Sequence, residues 1–393
     1  MATKVAEIGP ELPGLDFRYQ AAALAGNGRV YGVPFSSTVR RTLEFDPADR
    51  SAGPFGEELP EGEDLRYSAA VVAGDGRIYA VPCSARRALV IDPTSGEARE
   101  FGQEFPYGGL KYQAAVSAPS GKVYGIPFNA CRFLEIDPIH NTSLEVGSEL
   151  PQGGFKYVAG AVGENGKVYA IPFEARRVLE FDPSTGSTRE IGPEFEAGGQ
   201  KYACAAAAPN GRIYAVPCNA RRVLEIIPES GDAKEIGDDL GPAGFKYQQV
   251  VVASSGKLYG IPYDAMHVLK VDPAAGLVRP FGAALMERGE KYTAAALATN
   301  GRIYAPPCNA QRALEIDPSQ GASEANAVRL IGPELDDRQN KYQTAVATAD
   351  GRVLAMPFCA VRVLEFRPAP VLEPACTSNL SASFVDVQLD AMD

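Results

Sequence analysis

The chain has 393 residues, 45% of them hydrophobic and 22% charged, the composition of a packed globular protein rather than a disordered one. A net charge of −11 argues against nucleic acid or an anionic membrane as a nonspecific partner, and no apolar run approaches the ~18 residues of a membrane-spanning helix. The opening MATKVAEIGPELPG lacks the apolar centre of a signal peptide. A cytoplasmic protein is the expectation.

Seven cysteines, an odd number without CxxC spacing, give no disulfide framework and no metal motif. Cys83, Cys218 and Cys308 share one repeat position with Phe35, Phe128, Phe173, Tyr263 and Phe358. A position that takes Cys, Phe or Tyr is a packing position.

The repeat dominates the chain. Its opening tyrosines are Tyr19, Tyr67, Tyr112, Tyr157, Tyr202, Tyr247, Tyr292 and Tyr342, spaced by 45 residues (112 to 157), with 48 in the first copy and 50 in the seventh. Periods of this length mark solenoids, arrays or propellers. The N-terminal segment Val5–Leu12, VAEIGPEL, matches the end of a repeat, as in Thr188–Phe195 and Val328–Leu335.

The third copy shows the unit. Tyr112–Ala118 is small and apolar, and Pro119-Ser120-Gly121 turns the chain. Lys122–Ile126 is rich in β-formers and stops at Pro127, which has no N–H for a ladder. A third run, Arg132–Ile136, ends at Asp137-Pro138, which suits a type I turn, and a fourth, Ser143–Val146, ends at Gly147. Four short strands with tight turns make a propeller blade. The connection of about ten residues that follows suits the crossing from blade edge to hub, which makes the Ala-rich first strand innermost.

The first three strands occur eight times, but after Val363–Phe366 the chain enters Arg367-Pro-Ala-Pro370 with no fourth strand. The expected fold is therefore all-β: an eight-bladed β-propeller of four-stranded antiparallel blades in residues 1–368, with residues 1–14 completing the last blade. Repeats open near residues 18, 66, 111, 156, 201, 246, 291 and 341, and residues 369–393 form a C-terminal tail, with Phe384–Val387 its most strand-like stretch. Closing the ring with the N-terminal strand removes an exposed edge.

GKVYGIP followed by FLEIDP, with seven variants, resembles the strand language of kelch, NHL, YVTN, streptogramin-lyase-like and gluconolactonase-like propellers. The resemblance covers residues 1 to about 368 and is generic. Kelch's paired glycines and Trp are absent, as is the WD dipeptide.

In a ring, a repeated residue type becomes a circle. One basic circle precedes the opening tyrosines: Arg18, Arg66, Lys111, Lys156, Lys201, Lys246, Lys291 and Lys341. A second lies between strands two and three: Arg41, Arg87, Arg132, Arg177, Arg222, His267, Arg312 and Arg362. Both belong to one face, so a channel mouth that binds a protein or a small anionic ligand is expected. The other reading pairs these bases with acids of the repeat such as Glu149 and Glu194.

On the opposite face, Lys122 and its equivalents should pair across strands with Asp137 and its equivalents, and Tyr124 should stand opposite Glu135. The preferred function is a noncatalytic binding scaffold without a cofactor, and a monomer. One alternative is a hydrolase or lyase of the gluconolactonase or streptogramin-lyase type. That resemblance implies a divalent cation at the mouth, and Glu174, Asn219 and Asp264, in three consecutive blades, have ligand chemistry for Ca2+ or Mg2+. A self-associating structural protein is the other.

Overall fold

The computed structural model describes residues 2–12, 17–61, 65–106, 108–196, 199–242, 244–286, 289–320 and 324–369. Residues 370–393, including Phe384–Val387, lie outside them, as do Pro13 and Gly14.

Eight four-stranded antiparallel sheets follow one another along the chain. In blade 3 the strands are Tyr112–Ser117, Val123–Pro127, Phe133–Asp137 and Thr142–Val146, hydrogen-bonded in sequence order. First strands of successive blades are neighbours around the ring, and that of blade 8 meets that of blade 1. The first strand is thus the hub strand, where alanines allow close approach. The second strand is wholly buried in six blades at all five of its positions. Its alternate residues feed the cores on its two sides: Val123 packs in the core shared with blade 2, Tyr124 and Ile126 in the core shared with blade 4.

Blade 8 is completed from the other end of the chain. Lys4–Ile8 pairs antiparallel with Val363–Arg367, from Lys4 opposite Arg367 to Ile8 opposite Val363. Ile8 and Leu12 pack into the core beside blade 1, and Val5 into the core beside blade 7. This is the closure expected from the matching IGPE segments.

The cross-strand arrangement on the face opposite the crossings is also as the spacing predicts. Tyr124 stands opposite Glu135 and donates to it at 2.9 Å, while Lys122 Nζ reaches the expected Asp137 at 3.6 Å and comes closer, 2.6 Å, to Glu135, which the spacing did not indicate. Blade 6 departs from this pattern. Lys270 takes the glutamate's place, and the buried Tyr259 hydroxyl has no hydrogen-bond partner among the described residues. Glu324, in the five-residue excess of the seventh copy, reaches across to Lys270 Nζ at 3.1 Å and to Arg279 at 2.5 Å. The longer loop supplies the acid that the strand lost.

Candidate functional site

The crossings and the loops between strands two and three share one face, and backbone hydrogen bonds lace them together there. The residue after each second-strand Pro donates its N–H to the carbonyl of the basic residue that opens the same blade, as Phe128 does to Lys111 at 2.9 Å. Its own carbonyl accepts the N–H of the next basic residue, as from Lys156 at 2.8 Å. Eight bonds of each kind make a closed belt of sixteen, and Arg18 N–H to Phe358 O, 2.9 Å, seals it.

Belt side chains explain the Phe, Cys and Tyr position: Phe35 and Phe358 rings lie 5.6 Å apart, Phe128 and Phe173 6.1 Å. Burial raises the thiols of Cys83, Cys218 and Cys308, the last two to about 12 and about 11, so they are protonated packing groups near neutral pH.

The two basic circles separate radially. Members of the inner circle are buried, from 0% exposure at Arg66 to 9% at Lys111 and Lys156. Their ammonium groups tie loops together: Lys111 Nζ donates to the carbonyls of Ser84, Pro106 and Gly108, and Lys156 Nζ to Asn129 at 3.1 Å and Gly153 at 2.7 Å. Lys201 and Lys246 bond crossing carbonyls, at Glu196 and Gly241, and Lys341 bonds Arg338 O. Lys291, 1% exposed, holds the same belt position. Burial lowers Lys156 and Lys246 and brings Lys201 down to about 8, partly countered by the nearby Glu174 carboxylate.

The outer circle grips the end of the fourth strand. Arg87, Arg132, Arg177 and Arg222 each donate to the carbonyl of a glycine fifteen residues on, at 2.5 to 2.7 Å. Arg312 and Arg362 do the same with Gly332 and Gly9, and His267 Nδ1 lies 3.3 Å from Gly282 O. Crossing acids complete the grip in Arg87–Glu104, Arg132–Glu149, Arg177–Glu194 and Arg362–Glu11. Arg41 is 3.8 Å from Glu58.

Asn219 and Asp264 act as loop clamps. Their Oδ1 atoms accept the N–H groups of Phe245 and Glu290 at 2.6 and 2.7 Å, as Asn129 accepts that of Phe155. Glu174 occupies the same place in blade 4, with its backbone N–H on Phe155 O. Among the described residues, no group of three or more His, Cys, Asp or Glu side chains could hold a metal ion.

The structure adds a third circle, which the sequence reading passed over. The residue before each inner base has left-handed backbone: Phe17, Leu65, Leu110, Phe155, Gln200, Phe245, Glu290 and Asn340, with φ between 45° and 64°. For residues with a branched or bulky side chain this costs about 1 kcal/mol each. Phe17, Leu65, Phe155 and Phe245 are nevertheless 39 to 50% exposed. An apolar collar thus sits on the belt over blades 1 to 4 and again at blade 6, above the buried cations. Its signal was in the sequence as Phe-Arg-Tyr, Leu-Arg-Tyr, Leu-Lys-Tyr and Phe-Lys-Tyr. Beyond it, over blade 7 and between the crossings that enter and leave it, a cleft of about 790 Å³ is lined by Met286, Glu290, Asn309, Gln311 and Asp337.

Fold and mouth together define an eight-bladed β-propeller closed by its own N-terminal strand. No family model and no curated protein sequence matches the chain. Among solved structures it is similar to a streptogramin B lyase, with TM-score 0.61 and 13% identity over 94% of this chain and 99% of that one. It is also similar to a virginiamycin B lyase from Staphylococcus aureus, TM-score 0.60 and 13% identity over 77% and 95% of the two chains. Hydrazine synthase from Kuenenia stuttgartiensis gives TM-score 0.55 and 13% identity over 93% and 98%. At such identities the likeness is one of fold.

Proposed function

We propose that this protein is a noncatalytic binding propeller whose mouth face captures a protein segment through the apolar collar, with the buried cations favouring an acidic one. The collar carries this reading. Asn340 shows that the left-handed position accepts an ordinary polar residue suited to it, yet four blades place Phe or Leu there half in water. Phe17, Phe155 and Phe245 set one side of their rings against the belt rings of Phe358, Phe128 and Tyr263 and leave the rest in water, an exposure that this packing does not require and a contact surface does. The two basic circles already bond carbonyls and crossing acids, so their contribution is the positive potential they give the rim.

The test is Phe155→Asn with Phe245→Asn, substitutions compatible with the local backbone. The double variant gives up the ring contacts with Phe128 and Tyr263 and should melt within about 4 °C of wild type, yet lose partners captured in a native pull-down, while Ile139→Ser on the opposite face should lose none. Equal capture by all three proteins would defeat the proposal. A metal-dependent lyase or hydrolase built on Glu174, Asn219 and Asp264 is the alternative. Two of those residues already serve as clamps, and calorimetric titration with Mg2+ and Ca2+ separates the readings.

A further inference from the structure

The described chain ends at Ala369, on the face away from the collar. Pro368 and Ala369 line a groove there with Pro47, Ala48 and Arg352, which belong to turns opposite the crossings. The 24 residues that follow, 370–393, contain Glu373, Asp386, Asp390 and Asp393 and neither Lys nor Arg. Within them Val385, Val387 and Leu389 alternate with Asp386, Gln388 and Asp390, the pattern of an extended segment with one apolar and one acidic side.

The mouth offers the complement of that pattern. Phe17, Leu65, Phe155 and Phe245 stand exposed above a circle of buried ammonium and guanidinium groups. We propose that the mouth of one molecule takes the Phe384–Asp390 segment of a second copy, joining molecules head to tail. This inference rests on the collar being a binding surface, and it names the occupant. The geometry favours a second copy because the described chain ends on the face opposite the mouth. The 14 residues from 370 to 383 span at most ~3.3–3.6 Å each, or ~50 Å. A route around the blade must run outward, along a strand of ~17 Å, and back across four strands at ~4.8 Å spacing, which consumes nearly all of that length. A neighbouring copy stacked on the tail face needs no detour. Such a contact is heterologous, using different patches on the two molecules, and therefore propagates.

Light scattering after size-exclusion of the full-length chain, over a range of concentrations, tests this with two variants. Wild type should gain mass with concentration. The tail variant Val385→Asp/Val387→Asp/Leu389→Asp and the collar variant Phe155→Asn/Phe245→Asn should each stay monomeric. Mixed together they should form a dimer and stop there, since one retains a working mouth and the other a working tail. A labelled peptide of residues 378–393 should bind the full-length tail variant, and adding the collar substitutions to that variant should weaken the peptide at least about tenfold.

Wild type that stays monomeric while the peptide binds only the tail variant would show the tail folding back on its own mouth, and would overturn the second-copy assignment. Failure of the peptide to bind at all would overturn the occupant. Neither result touches the pull-down, which alone decides whether the collar is a binding surface.

Discussion

Removing residues 1–12 should open the ring at blade 8. Ile8 is 5% exposed, and Val5 and Leu12 are partly buried in the two flanking cores. Burying a full aliphatic side chain stabilises by about 1.5–3 kcal/mol; one complete and two partial burials amount to about 4–5 kcal/mol. Unfolding entropy of ~2.1 cal/mol/K per residue gives ~0.8 kcal/mol per kelvin for a chain of this length, so the melting temperature should fall by about 5–6 °C. The loss also uncovers Val363–Arg367 as an unpaired strand edge, which invites aggregation. Calorimetry and light scattering of the truncated chain measure both, and a synthetic peptide of residues 1–12 should restore much of the loss. A truncated chain that melts within about 1 °C of the parent and remains monodisperse would refute the closure energetics.

Blade 6 gives a double-mutant cycle: Lys270→Glu alone should cost about 2–4 kcal/mol in denaturant unfolding by setting two carboxylates together, and adding Glu324→Gln should return most of it. In the double variant the new carboxylate can accept from Tyr259, Lys257 and Arg279, as Glu180 does from Tyr169, Lys167 and Arg189; additive losses would contradict this. Asp264→Asn keeps the oxygen that clamps Glu290 N–H and should change stability by under about 0.5 kcal/mol, whereas Asp264→Ala should cost about 1–2 kcal/mol. Loss of a measurable cation affinity in Asp264→Asn would instead make this residue a ligand. Burial pushes Tyr31, Tyr169 and Tyr259 up to about 12, so the native state keeps protons that the unfolded chain releases from about pH 10. Their stabilisation is complete below about pH 10 and disappears as pH rises through 12. Lys201, held at about 8, acts oppositely: its burial penalty is complete below about pH 8 and is relieved as pH climbs toward 10.5. Melting temperature should therefore rise slightly between about pH 8 and 9 and fall above that, first as the raised thiols of Cys83, Cys218 and Cys308 and then the tyrosines lose their contribution, and Lys201→Gln should reduce the rise.

The repeat spacing made the architecture legible because each blade states its strand ends through Pro127, Asp137-Pro138 and Gly147 and their equivalents. Strand pairing followed from the same spacing, as Tyr124 opposite Glu135 shows. What the sequence concealed was radial position. Lys156 and Arg132 are equally basic in the sequence, yet one lies buried beneath the mouth and the other half exposed at the fourth strand, since only the folded ring decides which carbonyls each can reach. Phe155 and Phe245 recur at the repeat period with Phe17, Leu65 and Leu110, but that they stand exposed on left-handed backbone is a property of the folded ring.

The belt around the mouth has a direction of travel. Every member donates to the residue preceding it in the circle and accepts from the one following, so all sixteen bonds point the same way round, Phe358 and Arg18 included. In such a homodromic hoop the peptide groups polarise one another with no first or last bond from which fraying could begin. The number of blades is then fixed as a whole number, since no single added unit can be absorbed locally. New chain ends placed in any turn on the far side should leave the hoop intact.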